Sequence, residues 1–339
     1  MKQNQLYFFL SLIILTAISA CNGLGLKPGI PTVTAAPTSI PTAAPTATPS
    51  ASRVALVAPP EIRPEEVKTV ADAIQPVIAE AGFIVETVAQ APAGSLGPNR
   101  VAAIFLSAPP NLVEILAANP QTQIIVVSGN DFQPGANLTI LRVHPEFQAF
   151  MAGYVAVLAA PNWRVAGLVP YDGGETNLMA NAFASGGRYF CGRCGTTVPP
   201  FAPYPLTESA PRNASPVEWQ AAAANILPAG IEVVYFSKEA QSPELIQSLA
   251  SQNLLFMGSV SPGDGLRDRW VATISQDTAG ALAKILPDVL KGLGGKVMNV
   301  GVALTDINEA IITTGKQRLI TETNEQLMKG WINPYTVSN

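Results

Sequence analysis

Cys191 and Cys194, within YFCGRCGTT, have a spacing that serves three chemistries: a zinc knuckle, a redox dithiol or a tight disulfide. Zinc needs about four protein ligands in a structural site, or three plus water in a catalytic one. The chain holds three cysteines and a single histidine, His144, far from the pair in sequence, so zinc is disfavoured. A redox pair normally opens a helix, whose dipole favours the thiolate. Here Gly187 precedes the motif and GTTVPPFAPYP follows it as an extended, proline-broken stretch. A structural disulfide fits best, with a free or loosely paired dithiol as the alternative.

Other catalytic arrangements are hard to assemble. The chain has no Gly-x-Ser-x-Gly elbow, no glycine-rich phosphate loop ending in Lys-Ser or Lys-Thr, and no His-Glu-x-x-His helix. A Ser-His-Asp triad would have to use His144, which reads as a hinge-region surface residue. The expectation is a protein that is not an enzyme and needs no cofactor or metal.

Binding chemistry is easier to place. Asp131 and Asp172 each end an apolar strand in a glycine-bearing turn, where a carboxylate accepts hydrogen bonds from a polyol or an amine. Phe132 and Tyr171 offer flat surfaces for a ring. Asn177 begins a helix, whose free N–H groups suit an acceptor on a ligand. Ser107 and Ser259 stand at other strand ends. Asp and Asn after strands also serve simply as turn and cap residues. The Glu65–Glu66 pair follows Pro64 in a first helical turn, where carboxylates suit the dipole, and reads as structural.

These residues need strands to hold them. Apolar runs at 54–59, 83–88, 102–107, 123–129, 138–143, 164–170, 196–201, 231–237, 254–260, 270–275 and 297–304 read as strands. Helical patterns at 64–81, 145–160, 177–187, 216–227, 278–293 and 315–330 separate many of them. Most strand candidates are bare aliphatic runs rather than alternating ones, as expected when helices cover both faces of a sheet. The repetition predicts an α/β fold of parallel, doubly wound sheets. The span after Ser52 is too long for one comfortable core and suits two lobes. The expected division puts 53–144 and about 262–294 in the first lobe, and 145–261 and about 295–339 in the second.

The first residues, MKQNQLYFFLSLIILTAISAC, have the layout of an export signal: a charged start, an apolar run and small residues before a cysteine. Ile18-Ser19-Ala20-Cys21 resembles a bacterial lipobox, which implies a signal peptide at 1–20, cleavage before Cys21 and attachment of a diacylglycerol there. Residues 28–52 consist mostly of Pro, Thr, Ala and Ser, too polar and proline-rich to bury a core. Extended at ~3.1 Å per residue, that stretch reaches on the order of 75 Å. Residues 21–52 therefore read as a lipidated tether. With 20 basic against 24 acidic residues the chain lacks the basic stripe of a nucleic-acid binder.

Three stretches carry a family resemblance. Glu146 precedes the FMAGYVAVLA helix, RVAGLVPYDG reads as a strand ending in a glycine- and acid-containing loop, and NAFASGG opens the next helix. In order and spacing these resemble the basic membrane lipoproteins, substrate-binding proteins of ABC importers with the type I periplasmic-binding fold. The tail from TISQDTAGAL to QLMKGWINP is similar to the family's end. The resemblance implies two Rossmann-like lobes joined by hinge strands that close on a small polar solute, in the family mostly a purine nucleoside. It also implies delivery to an ABC permease, or, for members that act as sensors, signalling through a membrane protein. Three positions depart from the pattern. The first-strand loop APPEIRPEEVKTV lacks the family's Phe and Asn, Gly258 is followed by Ser259 rather than by an acid, and Gln276 stands where the family has lysine.

Overall fold

A computed structural model describes residues 52–171, 177–195 and 198–335. The expected lipidation site Cys21, with its signal and nearly all of its tether, lies outside the described residues, as does Asp172.

The chain begins with β1 (Arg53–Val57), α1 (Pro64–Glu80), β2 (Ile84–Val88), β3 (Arg100–Phe105), α2 (Leu112–Ala118), β4 (Gln123–Ser128) and β5 (Leu138–Arg142). It continues through α3 (Pro145–Ala159), β6 (Val165–Tyr171), α4 (Leu178–Cys191), β7 (Leu206–Pro211), α5 (Pro216–Ile226), β8 (Val233–Phe236), α6 (Pro243–Leu249) and β9 (Leu255–Gly258). Then come β10 (Trp270–Gln276), α7 (Thr278–Leu290), β11 (Val297–Asn299), β12 (Val302–Thr305) and α8 (Thr314–Met328).

Two six-stranded sheets result, ordered β11-β5-β4-β3-β1-β2 and β12-β10-β9-β8-β6-β7. Every pairing is parallel except β10 with β12. Read from β2 and from β7, the two orders are the same doubly wound arrangement, reversing direction beside the first strand of each lobe. The expected pair of parallel α/β lobes is what the chain forms. The central strands are buried along nearly their whole length, as bare aliphatic strands between helices should be.

Local sequence explains the helices. α1 starts at Pro64, whose fixed φ suits a first turn, and turns Val70, Ile74 and Ile78 inward. α5 opens with a capping box in which the Ser215 side chain accepts from the Glu218 N–H and Glu218 accepts from the Ser215 N–H. α3 is apolar on every side and buried from Ala149 to Ala159, so it must be an interior helix. It meets α4 so closely that a Cβ added at Gly153 would overlap the Phe183 carbonyl, and one added at Gly186 would overlap that of Phe150. No helix among the described residues is long and apolar enough to cross a membrane.

The structure adds two short helices to the expected ones, α2 and α6, and differs from the expected strands and lobe boundaries in three places. Described residues 198–201 of the TTVPPF run form no strand, because Pro199 and Pro200 have no N–H to give a ladder; Leu206–Pro211 takes the edge position beside β6 instead. The single run 297–304 is two strands in different sheets, β11 beside β5 and β12 beside β10. β10, inside the 262–294 span expected in the first lobe, pairs in the second sheet, whereas α7 packs with α1 and the first-sheet core.

Candidate functional site

The chain passes between the two sheets at three points: between β5 and α3, between β10 and α7, and between β11 and β12. Backbone hydrogen bonds bind these crossings together. The Val300 N–H donates to the Arg142 carbonyl and the Asp277 N–H to that of Gly301, both at 2.8 Å. Such a hinge lets two sheets share the region beyond their strand carboxyl ends, where open α/β sheets bind ligands.

The reversal of strand order marks the best-formed crevice on each sheet. In the first it lies between β1 and β3, and in the second between β6 and β8. α1 leads away from β1, and the loop beyond Phe236 leaves β8. An ion pair joins these two places: Lys238 Nζ lies 2.8 Å from the Glu66 carboxylate, which also accepts from Arg63 Nη2 at 2.6 Å. Burial pushes the Glu66 carboxyl up, but the bonds from Lys238 and Arg63 outweigh it and hold the group below the usual carboxylate range. Glu66, read from sequence as a helix-dipole residue, therefore also spans the cleft.

A second polar group lies where α3 meets the inner strands β8, β9 and β10 of the second sheet. Gln148 Nε2 is 2.8 Å from Ser259 Oγ, 2.8 Å from the Ile274 carbonyl and 3.3 Å from the Tyr235 hydroxyl. Tyr235 and Ser259 are hydrogen-bonded to each other at 2.9 Å. Complete burial pushes the Tyr235 phenol up to about 12, against the opposing bonds from Ser259 and Gln148. Next to them Gln276 Nε2 donates to the His144 carbonyl at 2.8 Å, which leaves its own Oε1 buried without a partner. A neutral set of hydroxyls and amides can both donate and accept.

The expected site residues divide between the lobes. Ser107 is exposed just beyond β3. Asp131 is exposed beyond β4, with Oδ1 2.9 Å from Arg142 Nη2. Phe132 rests against the first-lobe cluster that includes Val57, Leu96 and Phe105, so much of its ring serves packing. On the second lobe Tyr171 is 43% exposed at the end of β6. Asn177 caps α4: its Oδ1 accepts from the Ala180 N–H at 3.1 Å, and its Nδ2 donates to Ser209 Oγ at 2.6 Å. Ser259 belongs to the Gln148 network. Sequence reading missed Gln148, Tyr235 and the pairing of Glu66 with Lys238. Gln148 did leave a signal, as a lone amide near the start of an otherwise apolar helix.

Cys191 is the last residue of α4, and its Cα lies 4.9 Å from that of Cys194, within reach of a disulfide. A helix C-terminus presents carbonyl oxygens, the opposite surroundings from the N-terminal position of redox thiols. Among the described residues no group of three His, Cys, Asp or Glu side chains could hold a metal ion. Two surface cavities, of about 320 and 330 Å³, are both lined by second-lobe residues.

No family model matches the chain, and no curated protein is similar to it. Solved structures are. An ABC transporter system solute-binding protein from Conexibacter woesei superposes with a TM-score of 0.61 at 16% identity, covering 84% of this chain and 98% of that one. A transcriptional activator of the comK gene from Bacillus halodurans superposes with a TM-score of 0.61 at 10% identity, covering 84% and 99%. An ABC transporter system solute-binding protein from Aeropyrum pernix superposes with a TM-score of 0.56 at 14% identity, covering 84% and 93%. These structures are binding proteins and a regulator, and at such identities the likeness concerns fold. With two like-ordered parallel sheets and three crossings, the chain has the two-lobed fold of the type I periplasmic-binding proteins.

Proposed function

We propose that this protein is a lipid-anchored, extracytoplasmic solute-binding protein. It captures a small polar ligand between its lobes and delivers it to an ABC permease. The observation that carries this reading is the Glu66–Lys238 pair, which links the two strand-order reversals across the cleft. The likeness to two ABC solute-binding proteins supports it.

The ligand meets Ser107, Asp131 and Phe132 from the first lobe, and Tyr171, Asp172, Asn177 and Ser259 from the second. A purine nucleoside is the ligand suggested by the family resemblance. Because Ser259 replaces the acid, a ribose at that position would meet a neutral hydroxyl, a weaker contact than a charge-assisted pair. Cys191 and Cys194 form a disulfide in the oxidising compartment to which the N-terminal signal sends the chain. Cys21 carries the lipid, so Cys21→Ser should move the protein from the membrane fraction to the soluble one.

The test is thermal unfolding of the purified protein against nucleosides, nucleobases, sugars, amino acids and short peptides. A ligand at a hundred times its Kd adds about 2.7 kcal/mol, a visible upward shift in Tm. A nucleoside shift abolished by Asp131→Ala or Asp172→Ala assigns the nucleoside. A shift with another class alone assigns a receptor of different specificity.

A second reading, an extracytoplasmic sensor or scaffold of the same fold that signals through a membrane protein, is favoured by the likeness to a transcriptional activator. Silence across the whole panel would support it. Neighbouring permease and ATPase genes would support transport, and a neighbouring kinase or cyclase gene would support sensing.

A further inference from the structure

His144, the only histidine in the chain, touches all three crossings. It occupies the first crossing, between β5 and α3. Its carbonyl accepts from Gln276, the residue that enters the second. Its Nε2 lies 3.2 Å from Oδ1 of Asn299, the last residue of β11, where the third begins. Its Nδ1 lies 3.0 Å from Oε1 of Glu146 in the first turn of α3, and its ring stacks on Phe147 with centroids 4.3 Å apart. The ring therefore stands between a second-lobe helix and the end of a first-lobe strand.

We propose that the charge on His144 sets the stiffness of the hinge between the lobes. The protonated ring donates from both nitrogens at once, tying Glu146 to Asn299. The neutral ring carries one N–H, so one of the two facing oxygens loses its donor and the Asn299 amide turns over or parts. Either way the tie between α3 and β11 weakens.

The groups around the ring set the direction. Glu146 favours the cation. Arg142, at the end of β5, opposes it, and Tyr335 shares the Glu146 carboxylate. Asn299 and Gln276 are neutral. The bond to Glu146 outweighs burial and Arg142 and raises the imidazole above its ordinary value of about 6.5. A raised value means the tie is complete below the ordinary histidine range and is lost as pH rises through the raised one. This holds whatever occupies the cleft.

Two measurements on the purified mature protein test the proposal. The first is the NMR titration of the single histidine ring, with a midpoint expected above the ordinary value. The second is hydrogen-exchange protection, corrected for intrinsic rates, at the Val300 and Asp277 amides that hold the crossings together. Protection there should fall severalfold as pH passes the ring's midpoint, while the β8 amides stay constant. His144→Gln should flatten the profile. Asn299→Ala, a change at an exposed strand end, should flatten it at Val300 while leaving the midpoint raised. A midpoint at or below the ordinary value overturns the proposal, as does the same pH profile in wild type and His144→Gln. If His144→Gln fails to fold, an unchanged profile in Asn299→Ala overturns it.

Discussion

Lys238 on the second lobe lies 2.8 Å from Glu66 on the first, and this one ion pair connects the two points where strand order reverses. Both side chains are partly exposed, at 42% and 34%. An ion pair of this kind contributes between about 0.2 and 1 kcal/mol. That is too little to fold a lobe and enough to bias an opening equilibrium.

Lys238→Ala should therefore change global stability by less than ~1 kcal/mol while shifting the lobes toward open forms. Small-angle scattering should report a larger radius of gyration for the variant at low ionic strength. The difference from wild type should shrink as salt screens the pair. A variant as compact as wild type in low salt would remove the pair from the closing mechanism.

The same pair has a pH dependence of definite sign. The Glu66 carboxyl is held below its ordinary range, so its contribution is complete above the unfolded carboxyl value and is lost as pH falls through the lowered one. Glu66→Gln should behave at neutral pH as wild type does in acid, in both salt response and compactness.

The seam between α3 and α4 leaves no room for a side chain. Gly186→Ala would drive a methyl into the Phe150 carbonyl, a backbone atom that cannot rotate away. Destabilisation of about 3 kcal/mol is expected, the top of the overpacking range, read as a lower urea midpoint. Gly192→Ala offers a contrast. A Cβ there meets nothing within 4 Å, but its φ of 66° with ψ of −107° is a conformation that only glycine adopts readily, so backbone strain alone should cost roughly 1–3 kcal/mol.

In the buried network, Tyr235→Phe removes one hydroxyl and leaves Gln148 still bonded to Ser259 and Ile274. The expected cost is about 1 kcal/mol. Gln148→Leu removes an amide whose two N–H groups are shared among Ser259, the Ile274 carbonyl and Tyr235, and should cost more, roughly 2–3 kcal/mol. Equal costs for the two variants would mean that Gln148 does not organise the group.

Cys191 and Cys194 are separated by three positions, so a bond between them closes a very short loop. Chain entropy then assigns it about 2 kcal/mol, less than a long-range bridge would contribute. A Cys191→Ser/Cys194→Ser variant should fold with a modestly lower Tm. Unreduced, denatured protein should show no thiol from either residue.

Much of this molecule was legible in its sequence because the determining forces are local. Strands such as Arg53–Val57 and Gln123–Ser128 stand out as aliphatic runs, since a strand buried on both faces has no polar alternation to show. α1 and α3 announce themselves through Pro64 and Pro145 at their first positions, and α3's all-round apolar surface already marks it as interior. Asn177 and Ser215 follow local capping rules and lie where those rules put them.

Tertiary structure alone decided which sheet each strand joins and which distant residues meet. The run VMNVGVAL is one apolar stretch to any periodicity, yet Val300 and Gly301 carry it from one sheet to the other. Nothing in its pattern encodes a crossing, because pairing partners are chosen by neighbours far along the chain. Glu66 and Lys238 are 172 positions apart, and His144 and Asn299 are 155 apart. A carboxylate in a first helical turn satisfies the local dipole whether or not a lysine arrives from another lobe. That is why Glu66 read as structural and only the fold brought it to the cleft.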